Sequence, residues 1–148
     1  MKINKLNHII IILLLFLVSC ESGIKKGNEL SKSDLKYIRE LGLLNENEEI
    51  ILFSSQGGNR ISGNFISENR LASYWTEKRK ENNQINSAKY VEIDTLIIKD
   101  LSQALTYASY IKVIKKDKTE FKVYVDGEVE KMNKFFEKAI YEWEKQKK

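Results

Sequence analysis

The chain has 148 residues, 42% hydrophobic and 31% charged, with a formal charge of +4. That balance fits one globular domain and excludes a disordered, collagen-like or multi-pass membrane protein. One histidine, one cysteine and no proline also remove most of the side chains on which catalysis near neutral pH depends.

At the N-terminus, Lys2 and Lys5 form a basic start and Ile9 to Val18 are unbroken apolar residues. A ten-residue helix reaches about 15 Å, roughly half a hydrocarbon core, so the run fits a short secretory signal better than a spanning helix. The following Leu17-Val18-Ser19-Cys20 resembles the lipobox of bacterial lipoproteins. The resemblance implies that residues 1–19 are a signal peptide and that Cys20 becomes the diacylated, palmitate-type anchor of the mature chain. It also implies a cell-envelope location, with the domain exported and held at a bacterial membrane. Each buried methylene contributes about 0.8 kcal/mol, so two acyl chains anchor a protein stably.

Loss of residues 1–19 leaves 23 basic and 21 acidic residues, a charge of +2, and removes His8. The cysteine is then a thioether. The mature chain can form no Ser-His or Cys-His pair, no disulfide and no zinc site of the usual ligands. The basic balance also becomes too small to argue for nucleic acid, and no groove-reading motif accompanies it.

Partial motifs do not survive scrutiny. Gly58 and Gly63 have phosphate-loop spacing, but Asn64-Phe65 stands where Lys-Ser/Thr is required. Ser33-Asp34-Leu35-Lys36 has the S-x-x-K spacing of acyl-transfer enzymes without its companion motifs, and Ser33 is expected to cap a helix. Glu46, Glu48 and Glu49 lack the order of a calcium loop and are expected to form a solvated turn. The sequence thus calls for no catalytic residue, no metal and no cofactor.

Residues 20–30 are polar with two glycines and are expected as a flexible tether, ahead of a domain over 31–148. Leu35, Ile38 and Leu41 predict a helix over about 33–42, stopped by Gly42. Seven runs rich in Ile, Val, Tyr, Phe and Trp follow between about 49 and 126: Ile50–Phe53, Ile61–Ile66, Leu71–Trp75, Ala88–Ile93, Leu96–Ile98, Tyr107–Ile114 and Phe121–Val125. The break at Asp94-Thr95 is the weakest, and Lys115 to Lys118 predicts a tight hairpin. Val129, Met132, Phe135, Phe136, Ala139, Ile140 and Trp143 predict a capping helix over about 128–146, with Lys131, Lys134, Lys138, Glu142 and Lys145 toward water. The fold class is mainly β with helices, an α+β arrangement.

Gly63-Asn64-Phe65-Ile66-Ser67 leading into Arg70-Leu71-Ala72-Ser73-Tyr74-Trp75 resembles the second-to-third-strand hairpin of bacterial PH-like domains. Glu49 to Phe53 and Phe135 to Trp143 fit the same pattern. The resemblance implies a bent antiparallel seven-strand barrel closed at one end by the C-terminal helix, and a binding module in place of an enzyme. It also implies that three loops cluster at the open end, bringing together Arg60, Lys78, Arg79, Lys80, Lys115, Lys116 and Lys118. With Glu77, Glu81 and Asp117 the three loops carry +4, a surface for anionic headgroups or an acidic protein. The chain departs from lipid-binding relatives at Phe53-Ser54 and Arg60-Ile61-Ser62, so specific inositol-phosphate recognition is not implied.

Three functions compete on these grounds. The first is a membrane-anchored, non-enzymatic binding module for an envelope protein or the membrane surface. The second is a carrier whose barrel interior, lined by Tyr74, Trp75, Tyr107 or Tyr110, holds a small apolar ligand. The third, a carboxylate-based surface hydrolase, needs two buried acids in one cleft.

Overall fold

The computed structural model describes residues 23–77, 79–104 and 107–147. Strands β1 (Gly23–Lys26), β2 (Ile50–Ser55), β3 (Ser62–Ser67), β4 (Arg70–Trp75) and β5 (Gln84–Lys89) form one antiparallel sheet in that order. Strands β6 (Ile93–Lys99), β7 (Ser109–Lys115) and β8 (Glu120–Val125) form a second. With helices α1 (Lys32–Glu40) and α2 (Val129–Lys145), the fold is mixed α+β.

The segment expected as a tether holds structure. Gly23 to Lys26 pair with Ser55 to Leu52, a short 3-10 turn follows at Gly27–Glu29, and Leu30 is buried. An edge strand needs little apolar alternation because backbone bonds supply most of its pairing, which is why Gly-Ile-Lys-Lys gave no strand pattern. Gly27 is required by space, since any Cβ there would run into the Ile50 carbonyl.

Helix α1 is capped by Ser31, not Ser33: the Ser31 hydroxyl accepts from the Asp34 amide at 3.1 Å, and the Ser31 amide donates back to Asp34 at 3.3 Å. Its end is a Schellman motif. Gly42 has φ 75°, and the Gly42 and Leu43 amides donate to the Arg39 and Ile38 carbonyls. Ile38, with Leu35 and Tyr37, covers one face of the first sheet and packs with Phe53, Phe65, Ala72 and Tyr74. Gly63 sits in that sheet because the Tyr74 ring lies across it in register, leaving no room for a Cβ.

The run Ala88–Ile93 is not one strand. Strand β5 ends at Lys89, a 3-10 turn occupies Tyr90–Glu92, and β6 begins at Ile93. Tyr90 fixes this corner: it is buried and its hydroxyl donates to the Ser67 carbonyl at 2.8 Å. Asp94-Thr95 is only a register shift within the β6–β7 pair. The hairpin over Lys115 to Lys118 forms, with Lys118 at φ 69°.

The two sheets do not close into a barrel. Strand β8 crosses the first sheet over β4, β3 and β2, and two amides along its outer edge end on side chains, not on a neighbouring strand. The Tyr124 amide donates to Asn64 Oδ1 at 2.8 Å and the Asp126 amide to Ser54 Oγ at 3.4 Å. Side-chain acceptors meet these two amides locally, in place of a continuous ladder.

Between the sheets lies the main core, with Ile66, Leu71, Ala88, Ile111, Val113 and Val123 beneath Met132, Phe135, Phe136 and Ala139 of α2. The helix buries most of the expected stripe, although Val129, in its first turn, stands exposed. Glu142, expected on the wet face, is buried instead, with Lys138 at 2.6 Å and Lys145 at 3.8 Å.

Candidate functional site

The face of the first sheet that meets β8 is graded along its strands. One register row, Leu52, Ile66, Leu71 and Ala88, is apolar and lies under α2. The next, Ser54, Asn64, Ser73 and Asn86, is polar. Beyond it Ser62, Trp75 and Gln84 stand in register with Gln56 beside them, its amide donating to Ser62 Oγ at 2.8 Å. At this polar end a cleft of about 790 Å³ lies between residues of the two sheets.

The cleft is walled by β3, β4 and β5 on one side and by Glu120 to Tyr124 of β8 on the other. Trp75 lies at its edge, 42% exposed. Asn64 is held by the Tyr124 amide and Asn83 by the Glu77 amide at 2.9 Å. The charges at the rim are engaged elsewhere: Glu120 pairs with Lys112 at 2.8 Å, and the Lys122 ammonium sits 4.5 Å from the centre of the Tyr110 ring.

The expected basic surface divides in two. Loop 56–61 and the described residues 76–77 and 79–83 cap one end of the first sheet, and Thr76 Oγ1 donates to the Arg60 carbonyl at 2.7 Å. Arg60, Arg79 and Lys80 are exposed there. Lys115 and Lys116 line a recess with Val91, Glu92 and Asp117, at the corner that follows the other end of β5. The six residues of β5, about 20 Å of extended chain, stand between the two groups. Acids also answer the second group, Asp117 with Lys115 at 3.5 Å and Asp94 with Lys118 at 3.3 Å. The two groups thus sit on different corners of the chain, with acids beside the second. Cys20, the signal 1–19 and Lys78 lie outside the described residues.

The aromatic lining expected for an apolar carrier is dispersed as well. The Tyr74 ring belongs to the face under α1, where burial raises its pKa and its hydroxyl donates to the Asn59 carbonyl. Tyr107 is 71% exposed, and Tyr110 packs edge-on against Tyr124. Tyr74 and Trp75 both border the cleft between the sheets, but the Tyr74 ring packs into the cluster under α1.

The acidic turn holds the clearest departure from expectation. Glu48 is buried and engages Arg70, while Glu46 and Glu49 stay exposed. The two acids buried among the described residues, Glu48 and Glu142, are each committed to a cation, and neither lines the main cleft. That arrangement offers nothing to the hydrolase reading. Among the described residues no cluster of three or more His, Cys, Asp or Glu could hold a metal, and no helix is long and apolar enough to cross a membrane.

No protein-family model matches the chain, and no curated protein matches it. A solved structure similar to it is the crystal structure of a DUF1696 family protein with a pleckstrin-homology domain from Shewanella loihica PV-4. The two are 13% identical, and the match covers 77% of this chain and 97% of that one with a TM-score of 0.47.

Proposed function

We propose that the protein is a lipid-anchored, non-enzymatic envelope protein of PH-like build, seated on the membrane by the end of the first sheet that carries Arg60, Arg79 and Lys80. The order of a four-strand meander, a three-strand meander and a closing helix supports the PH-like part, with β1 as an added edge strand. The observation that carries the seat is where the chain enters the fold. Gly23 pairs with Ser55, and Ser55 leads directly into loop 56–61. Cys20 precedes Gly23 by three residues, a reach of at most about 10 Å. Acyl chains on Cys20 therefore draw this end of the first sheet, with its Arg60 and Arg79 loops, toward the headgroups. Each basic residue so placed contributes about 1 kcal/mol at an anionic surface.

The test is made on the full chain. Intact mass of the membrane-bound protein reports acylation, and Cys20→Ala is expected to release it to the soluble fraction. In anionic vesicles, amides of residues 56–61 and 76–83 are expected to exchange more slowly than in uncharged vesicles, with the difference lost in an Arg60/Arg79/Lys80 alanine variant. Equal membrane retention of Cys20→Ala overturns the anchor. Loop exchange that ignores lipid charge overturns the seat.

A further inference from the structure

Five side-chain amides meet in the cleft between the sheets: Gln56, Asn64, Asn83, Gln84 and Asn86. Only part of their bonding capacity is used. Asn64 and Asn83 spend their oxygens on backbone amides, which leaves both of their NH2 groups as donors. The side-chain amides of Gln84 and Asn86 and the Ser73 hydroxyl have no protein partner among the described residues. The ladder of β8 adds one more donor. Its outward amides alternate, and Asp126 and Tyr124 are met by Ser54 and Asn64. The next in that series is the amide of Lys122, a residue that also lines the cleft, and it has no acceptor among the described residues.

These donors and acceptors are neutral and of both kinds, and they adjoin the half-exposed ring of Trp75. We infer that this cleft is a binding site for an uncharged saccharide. Hydroxyl groups donate and accept in the same way as side-chain amides, and the C–H face of a sugar ring lies flat on an indole. The size agrees, since about 790 Å³ falls among ordinary small-ligand sites. Other ligand classes fit less well. An apolar molecule would strip water from the amides and return no hydrogen bond, at about 1–3 kcal/mol for each group left unmet. An anion would meet no unengaged cation, because Lys122 lies over Tyr110 and Lys112 is paired with Glu120. This inference concerns the space between the sheets and is independent of the membrane seat, which uses Arg60, Arg79 and Lys80.

The test uses the full chain in a zwitterionic detergent without sugar headgroups, titrated with maltotriose, with tri-N-acetylchitotriose and with dodecanoate while tryptophan emission is followed. At least one of the two saccharides is expected to give a saturable change. Trp75→Ala is expected to abolish that change, with Trp143 left as an internal reporter of the fold. Asn86→Ala, which spares the ring, is expected to weaken binding about tenfold, the loss of roughly one hydrogen bond. The inference is overturned if neither saccharide gives saturation up to about 10 mM. It is also overturned if Asn86→Ala binds as tightly as the parent, or if dodecanoate saturates the Trp75 signal where the saccharides do not.

Discussion

Glu48 and Arg70, from the turn before β2 and the first position of β4, meet in a two-bond pair, Nε to Oε1 at 3.0 Å and Nη2 to Oε2 at 2.9 Å. Both side chains are nearly sealed from solvent, with exposures of 1% and 9%. Ser67 adds a third donor to Glu48, and the Asn45 amide a fourth at 3.2 Å. The carboxylate thus ties the turn before β2 to the hairpin between β3 and β4, beside the corner that Tyr90 fixes.

Breaking this pair from one side leaves a buried charge without its partner. Glu48→Gln and Arg70→Met are each expected to cost about 3–5 kcal/mol in chemical denaturation. The double variant Glu48→Leu/Arg70→Met is expected to recover most of that loss. Single variants within about 1 kcal/mol of the parent would show that the pair is solvated in solution.

Gly63 and Tyr74 make a second coupled pair. Gly63→Ala drives a methyl into the Tyr74 ring and is expected to cost about 1–3 kcal/mol. In a Tyr74→Ala background the same substitution is expected to cost almost nothing. A double-mutant cycle with no coupling energy would contradict the arrangement.

Asn64 holds the free edge of β8 to the first sheet. Asn64→Ala removes the acceptor of the Tyr124 amide and is expected to cost about 1–3 kcal/mol. Hydrogen exchange locates the effect: the Tyr124 amide is expected to lose protection while amides inside the β6–β7 ladder keep theirs. Uniform loss across β6 to β8 would mean that the sheets separate as a unit.

Acid should act on α1 through Asp34. Burial pushes its carboxyl up, but hydrogen bonds from Ser31 at 2.7 Å and from Asn59 at 3.1 Å outweigh this and hold it below its ordinary value. A carboxylate depressed on folding contributes stability that is complete above its unfolded pKa, about 4, and is lost as pH falls through the lower folded value. Asp34→Asn is therefore expected to reduce stability near neutrality and to flatten its decline below about pH 4. Ser31→Ala is expected to cost about 0.5–2 kcal/mol as a lost cap. An unchanged acid slope in Asp34→Asn would assign the decline to other groups.

The helices were legible in the chain because helical burial repeats within a few residues. Leu35 and Ile38 mark α1, and Met132, Phe135, Phe136 and Ala139 mark α2, each within one or two residues of its ends. Most strands were legible for the same reason. Strand β1 was not, since its pairing rests on backbone bonds to Leu52 through Ser55, and neither was the corner at Tyr90, where a strand-like run is bent by a bond to the Ser67 carbonyl.

The site was far less legible. Ser54, Asn64, Ser73 and Asn86 lie on four strands, and no spacing links them along the chain; antiparallel register alone sets them in one row beneath β8. The burial of Glu48 likewise depended on an arginine 22 residues later. A sequence determines by itself whatever depends on local repetition: a basic start before an apolar run, the helix stripes and the β-rich middle. Tertiary structure alone decided which charges are buried, how the basic loops divide, and that the cleft gathers five side-chain amides beside the Trp75 ring. Those outcomes depend on register and sheet crossing, which bring together side chains whose separation along the chain carries no periodic signal.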